Sequence, residues 1–127
     1  MRNQDSGEHI PGPCRLLPET LKCNGDFRRA YGRGKSLTAP ILVTYALRRR
    51  QGKCRYGVTA SKKVGNAVER VRCRRVIREA LRTLIMDEPL RGSWDLVFVA
   101  RGKTKHMKST EIQETMRAQL KKLGVIS

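Results

Sequence analysis

Lys62, Lys63, Arg70, Arg72, Arg74, Arg75, Arg78 and Arg82 crowd into one stretch of the chain, offset there only by Glu69 and Glu79. An arginine guanidinium is a planar fork that grips phosphate bidentately and stacks on bases, whereas a lysine ammonium is a point charge. The chemistry on offer is therefore polyanion binding. A solvated helix face is the plainer reading, but such faces usually mix signs at i and i+4. Here Arg70, Arg74 and Arg78 repeat the same sign at that spacing. Like charges so placed destabilise a helix unless a polyanion completes them. A helix of arginines suits structured RNA, where backbone and shape are read more than base edges. Composition alone does not separate RNA from DNA.

A second constellation is aromatic. Phe27 and Tyr31 stand at i and i+4 and so share a helical face. Together with Tyr45 they are placed to line a cleft and stack on single-stranded bases. Ordinary core packing is the competing role, and spacing does not decide between them.

Catalytic and metal chemistry find little support. His9 lies near the N-terminus and His106 in a lysine-rich loop, and no carboxylate pair or nucleophile–base pattern is visible. No phosphate-cradling or dinucleotide motif occurs. Cys14, Cys23, Cys54 and Cys73 form no C-x-x-C pair, so no zinc site is expected. Free thiols are the expectation, with an oxidised Cys14–Cys23 pair as the alternative. We assign no catalytic residue and no metal ligand to the chain.

The whole chain supports the basic stretch. Its 127 residues carry 28 Lys and Arg against 11 Asp and Glu, a formal charge of +17. A compact domain so charged repels itself without a polyanion partner. Nucleic acid fits best, ahead of an anionic membrane or a merely solubilising surface. No apolar run reaches the ~20 residues that span a bilayer, and Met1–Pro13 has no hydrophobic signal core. A cytoplasmic protein is expected, with residues 1–13 a disordered tail and 14–127 one domain.

The elements that must position these residues follow from the pattern. Asn24 reads as the N-cap of a short helix that carries Phe27 and stops at Gly32–Gly34. Lys35–Thr38 reads as an edge strand ended by Pro40. Ile41–Leu47 and Arg55–Ala60 read as strands, with Arg48–Lys53 a hairpin loop between them. Asn66 with Glu69 resembles a capping box for a helix from Ala67 to Met86. Cys73, Ile77, Ala80, Leu81 and Leu84 form its buried stripe, with the arginines on another face. Trp94–Ala100 is continuously apolar apart from Asp95 and reads as a central strand. Ser109 or Thr110 starts a last helix, with Ile112, Met116, Leu120 and Leu123 apolar and Gly124 ending it.

The run from Tyr56 to Glu79, YGVTASKKVGNAVERVRCRRVIRE, closely resembles the signature of the bacterial ribonuclease P protein subunit family. Asp26–Ser36 (DFRRAYGRGKS) and Asp95–Arg101 (DLVFVAR) are similar to the same family, and the likeness runs in order from Leu21 to Leu123. The resemblance implies an α+β, single-domain α-β-β-β-α-β-α sandwich. Its four-stranded sheet would contain a left-handed crossover, like that of the second domain of a small-subunit ribosomal protein. It implies a ribonucleoprotein that removes the 5′ leader of precursor tRNA. The RNA subunit would be the catalyst, with Mg2+ as its cofactor. This chain would be a monomeric partner, 1:1 with the ribonuclease P catalytic RNA, that also contacts precursor tRNA. By position, Lys62, Lys63, Arg70, Arg72, Arg74, Arg75 and Arg78 would face the RNA. Phe27, Tyr31 and Tyr45 would fall in the leader-binding cleft.

One position departs. The family motif usually reads Arg-Asn-Arg, and this chain has Arg70-Val71-Arg72. A valine side chain neither donates nor accepts hydrogen bonds, so the contribution of that asparagine is missing or supplied elsewhere. The alternative function is a non-enzymatic RNA-binding protein, such as a ribosomal protein or RNA chaperone.

Overall fold

The computed structural model describes residues 18–126 other than 22 and 51. The tail 1–13 and the Cys14–Cys23 pairing lie outside the described residues. The elements run β1 (Glu19–Thr20), α1 (Asn24–Arg33), β2 (Lys35–Thr38), β3 (Leu42–Arg48), β4 (Arg55–Thr59), α2 (Ala67–Asp87), β5 (Trp94–Ala100) and α3 (Ser109–Leu123). A 3-10 turn, Gly102–His106, links β5 to α3.

The α+β expectation is met, with two corrections to the sheet. The first is its width. The sheet has five strands in the order β1-β4-β5-β3-β2. The extra strand is two residues long, with Glu19 and Thr20 parallel to Arg55 and Tyr56, too short for periodicity to reveal. The second is the hairpin. β3 and β4 do not pair; β5 lies between them, antiparallel to β3 and parallel to β4. β5 is apolar on both faces apart from Asp95, and Leu96, Val97 and Phe98 are all fully buried. Only a central place covers both faces. Parallel neighbours cannot be joined by a tight turn, and α2 is the crossover that joins β4 to β5.

Alternation along the strands divides the core into two layers. Leu42, Ala46, Tyr56, Leu96 and Phe98 face α2 and α3 in the main cluster. Tyr45, Leu47, Val97 and Val99 face α1 with Leu21, Phe27 and Ala30. The stripe of α2 is buried as expected, extended by Ile85. Each buried Leu or Ile of the stripe stabilises by about 1.5–3 kcal/mol. Ile112, Met116 and Leu120 of α3 are buried too. Gly124 ends α3 at φ 86, a left-handed conformation that favours glycine. A polar tie holds α3 to the sheet: Thr44 donates to Gln119 Oε1 at 2.6 Å, and Gln119 Nε2 donates to the carbonyls of Leu37 and Leu42.

Candidate nucleic-acid interface

Helix α2 begins as its sequence dictates. Asn66 Oδ1 accepts from the Glu69 backbone at 2.8 Å, and Glu69 accepts from the Asn66 backbone at 3.0 Å. That backbone bond, joined by Lys105 at 3.5 Å, holds the Glu69 carboxyl below its ordinary range. With its buried stripe fixed on the sheet, the helix turns Val68, Val71, Arg72, Arg75, Arg78 and Arg82 to solvent.

The arginines are not equivalent. Arg70 and Arg74 sit half-buried on the margin of the stripe, and Arg70 Nε is buried without a hydrogen-bond partner. The row Arg70–Arg74–Arg78 therefore does not form one outward face, because successive i+4 steps rotate by about 40° around a helix of 3.6 residues per turn. The outward group is Arg72, Arg75 and Arg78. Arg72 Nε reaches the Lys105 carbonyl at 3.4 Å. Arg82 is bound to Glu79 at 2.7 Å and so leaves the group; this bond raises the arginine and lowers the glutamate from their ordinary pKa values. Lys62 and Lys63 are exposed in the loop before the helix. Val68, 78 % exposed, and Val71 form an apolar gap between the cations, lining a shallow groove with Ala67, Arg72 and Arg75.

The rings lie on the other face of the sheet. Phe27 packs against Gly57; a Cβ there would come within 2.5 Å of the ring. Tyr31 and Tyr45 meet edge to face with centroids 4.8 Å apart. Phe27 is thus a packed, partly buried ring, whereas Tyr31 remains 41 % exposed. The expected trio is brought to one layer, but by way of a glycine that spacing did not single out.

Helix α1 begins at Asn24 itself, with Cys23 as N-cap and no capping side chain, so Asn24 is not the cap. Asp26 governs the position of this turn. It is 6 % exposed and accepts from Arg29 and from Arg55 at 3.3 Å. Arg55 also grips Asp95 bidentately, at 2.9 and 2.8 Å, and Arg49 stands 3.6 Å from Asp95. The Asp95 hydrogen bond, ahead of the attraction of both carboxylates, raises the Arg55 guanidinium further above its ordinary value. The cluster was not read from the sequence. A charged Asp95 inside a buried strand was the available signal.

Among the described residues, no group of three or more His, Cys, Asp or Glu is placed to hold a metal ion. The buried carboxylates Asp26 and Asp95 are neutralised by Arg55, which does not suit them to Mg2+. Burial pushes the Cys73 thiol up, away from reactivity. No described helix is long and apolar enough to cross a membrane.

A protein-family model described as Ribonuclease P matches residues 18–124. The ribonuclease P protein component of Clostridioides difficile is 38% identical over 105 residues, covering 83% of this chain and 91% of that protein. The Clostridium botulinum (strain Langeland) component is 39% identical, covering 83% and 94%. Among solved structures, the Staphylococcus aureus RNase P protein superposes with a TM-score of 0.71 at 31% identity, covering 85% of this chain and 97% of that one. The Thermotoga maritima RNase P protein shares the fold, with a TM-score of 0.65 at 22% identity over 79% of this chain and 93% of that one.

Proposed function

The chain belongs to the ribonuclease P protein family, a subunit of an endoribonuclease, and from that premise we propose how its surfaces divide the work. The α2 side binds the catalytic RNA through Lys62, Lys63, Arg70, Arg72, Arg74, Arg75 and Arg78. Phe27, Tyr31 and Tyr45, on the opposite layer, hold the 5′ leader of precursor tRNA. Bond cleavage belongs to the RNA, where Mg2+ supplies the Lewis acid. The protein acts in the cytoplasm as a monomer, one per RNA, through the domain 14–127.

The observation that carries this reading is the unpaired outward group of α2. Arg75 and Arg78 are exposed with no acidic partner among the described residues, on a helix whose other side is firmly buried. A cation row of that kind weakens the free protein and is completed by phosphates. The chemistry of this chain is then binding and orientation: guanidinium forks fix the RNA backbone, and the exposed Tyr31 ring, with the partly exposed Phe27 beside it, offers an aromatic surface to unstacked bases. A ribosomal protein or RNA chaperone would share the charge, but family membership disfavours it.

Reconstitution tests the division. The purified chain alone leaves precursor tRNA intact, yet stimulates a matching ribonuclease P RNA at low Mg2+. Efficient cleavage by RNA-free protein would contradict it.

A further inference from the structure

Helix α1 carries two of the three rings assigned to the leader, yet little apolar surface fastens it to the sheet. Of its 10 residues only Asp26 and Ala30 are buried, with Phe27 partly so. A helix this short is marginal without tertiary support. We infer that Arg55, bridging Asp26 and Asp95, is a positioning residue for leader recognition: it fixes α1 over the sheet, and with it the spacing of Phe27, Tyr31 and Tyr45. The inference rests on the leader cleft proposed above and names what sets its geometry.

Arg55 and Asp95 are register partners on β4 and β5. Two residues further along the same face, Gly57 pairs with Val97, and Val97 with Tyr45. The charge cluster and the floor beneath the rings are therefore adjacent rows of one sheet face, about 7 Å apart by two residues of rise. Asp26 and Phe27 are consecutive on α1, so a shift of the carboxylate moves the ring that rests against Gly57. One guanidinium serves both sides. Its Nε and Nη2 donate to Asp95 at 2.9 and 2.8 Å, while Nη1 and Nη2 reach Asp26 at 3.3 and 3.5 Å. Arg29 adds a grip on Asp26 from within the helix.

The other end of α1 is fixed by close approach. The Gly34 backbone donates to the Ala30 carbonyl at 3.0 Å, and a Cβ on Gly34 would stand 2.9 Å from the Ala46 carbonyl oxygen of β3. Helix end and strand thus meet backbone to backbone, and the next residue, Lys35, pairs with Ala46. Between these two fixed ends Tyr31 meets Tyr45 edge to face.

The cluster is better suited to fixing a position than to adding stability. Apolar burial is non-directional, and Leu47, the register partner of Asp95, shows that apolar side chains fit this row. Replacing a buried ion set by apolar residues is often neutral or stabilising. Planar, charge-assisted bonds instead hold both distance and angle. Joining two carboxylates along two edges takes the five donors of an arginine. A lysine at position 55 would keep the charge and lose that geometry.

The test uses the complex of the full chain with its ribonuclease P RNA, in which binding also helps to hold weakened variants folded. Affinity is measured for leader-bearing precursor tRNA and for mature tRNA. R55K and D26N should each lower the preference for the precursor by about fivefold, the scale of one weak base–aromatic stack. The salt slope for the catalytic RNA and the cleavage rate at saturating precursor should stay at the parental values. F27A should lower the preference as well, and R55K added to F27A should cost less than R55K alone, because the cluster acts through the ring. An Arg55 that serves stability only would weaken both tRNAs alike or multiply its loss with that of F27A, and either result overturns the inference. A parental preference in folded R55K and D26N overturns it too. If F27A, Y31A and Y45A all leave the preference intact, the leader cleft itself fails, whatever R55K does.

Discussion

Two arginine groups in this small protein are handled in opposite ways. Around Arg55 every charge has a partner: Asp26 and Asp95 are buried and gripped, and Arg29 and Arg49 close the set. Along the outer face of α2, Arg75 and Arg78 have no acidic partner among the described residues. Residue type does not separate structural from functional arginines, since both groups use the same guanidinium. Burial and pairing do. Where carboxylates were placed to meet the cation, the arginine joins α1 to the sheet; where they were withheld, it awaits a partner from outside.

That contrast can be broken most forcefully at Arg55. Arg55→Ala leaves the two buried carboxylates with only Arg29 and Arg49 beside them, and denaturant unfolding should show a loss of about 3 kcal/mol. The surviving folded fraction should bind RNA with its salt slope unchanged. A slope as altered as that of an α2 variant would erase the distinction.

A smaller loss is expected beneath the rings. Gly57→Ala pushes a methyl into Phe27 and should cost about 1–3 kcal/mol by overpacking. Discrimination between leader-bearing and mature tRNA should fall with it, read as the ratio of their affinities in the reconstituted complex. Equal weakening of both RNAs would detach Phe27 from the leader.

Smaller again is the cap. Asn66→Ala should cost about 1 kcal/mol. Glu69 is held below its ordinary value of 4.5, so its share of the stability is present above that pH and lost as pH falls through the depressed value. Glu69→Gln should flatten this part of the stability–pH curve in acid. An unchanged acid limb would mean that Lys105 and the cap contribute nothing.

The cap itself was legible in the sequence because it is local: Asn66, Glu69 and the stripe from Cys73 to Leu84 speak through spacing on one helix. The strand order was not. Arg48–Lys53 looks like a hairpin loop because its strands are close in sequence, yet the apolarity of Leu96–Phe98 already required a neighbour on each side of β5. Those neighbours are β3 and β4, and the two readings conflict. Asp26, Arg55 and Asp95 are distant in sequence and leave no periodic trace, so their meeting is visible only in three dimensions. For the candidate site, the basic residues were found as a set. Their separation into outward Arg72, Arg75 and Arg78 and marginal Arg70 and Arg74 needed the actual burial of the helix.

The sharpest test is the triple variant R72A/R75A/R78A, measured for affinity to the ribonuclease P RNA across a salt series alongside its thermal unfolding. Stability should stay within about 0.5 kcal/mol of the parent or rise slightly, while the slope of log affinity against log salt should fall by about 2–3 units. A variant that unfolds readily yet binds RNA with the parental slope would show that the outer face of α2 serves the fold and not the RNA.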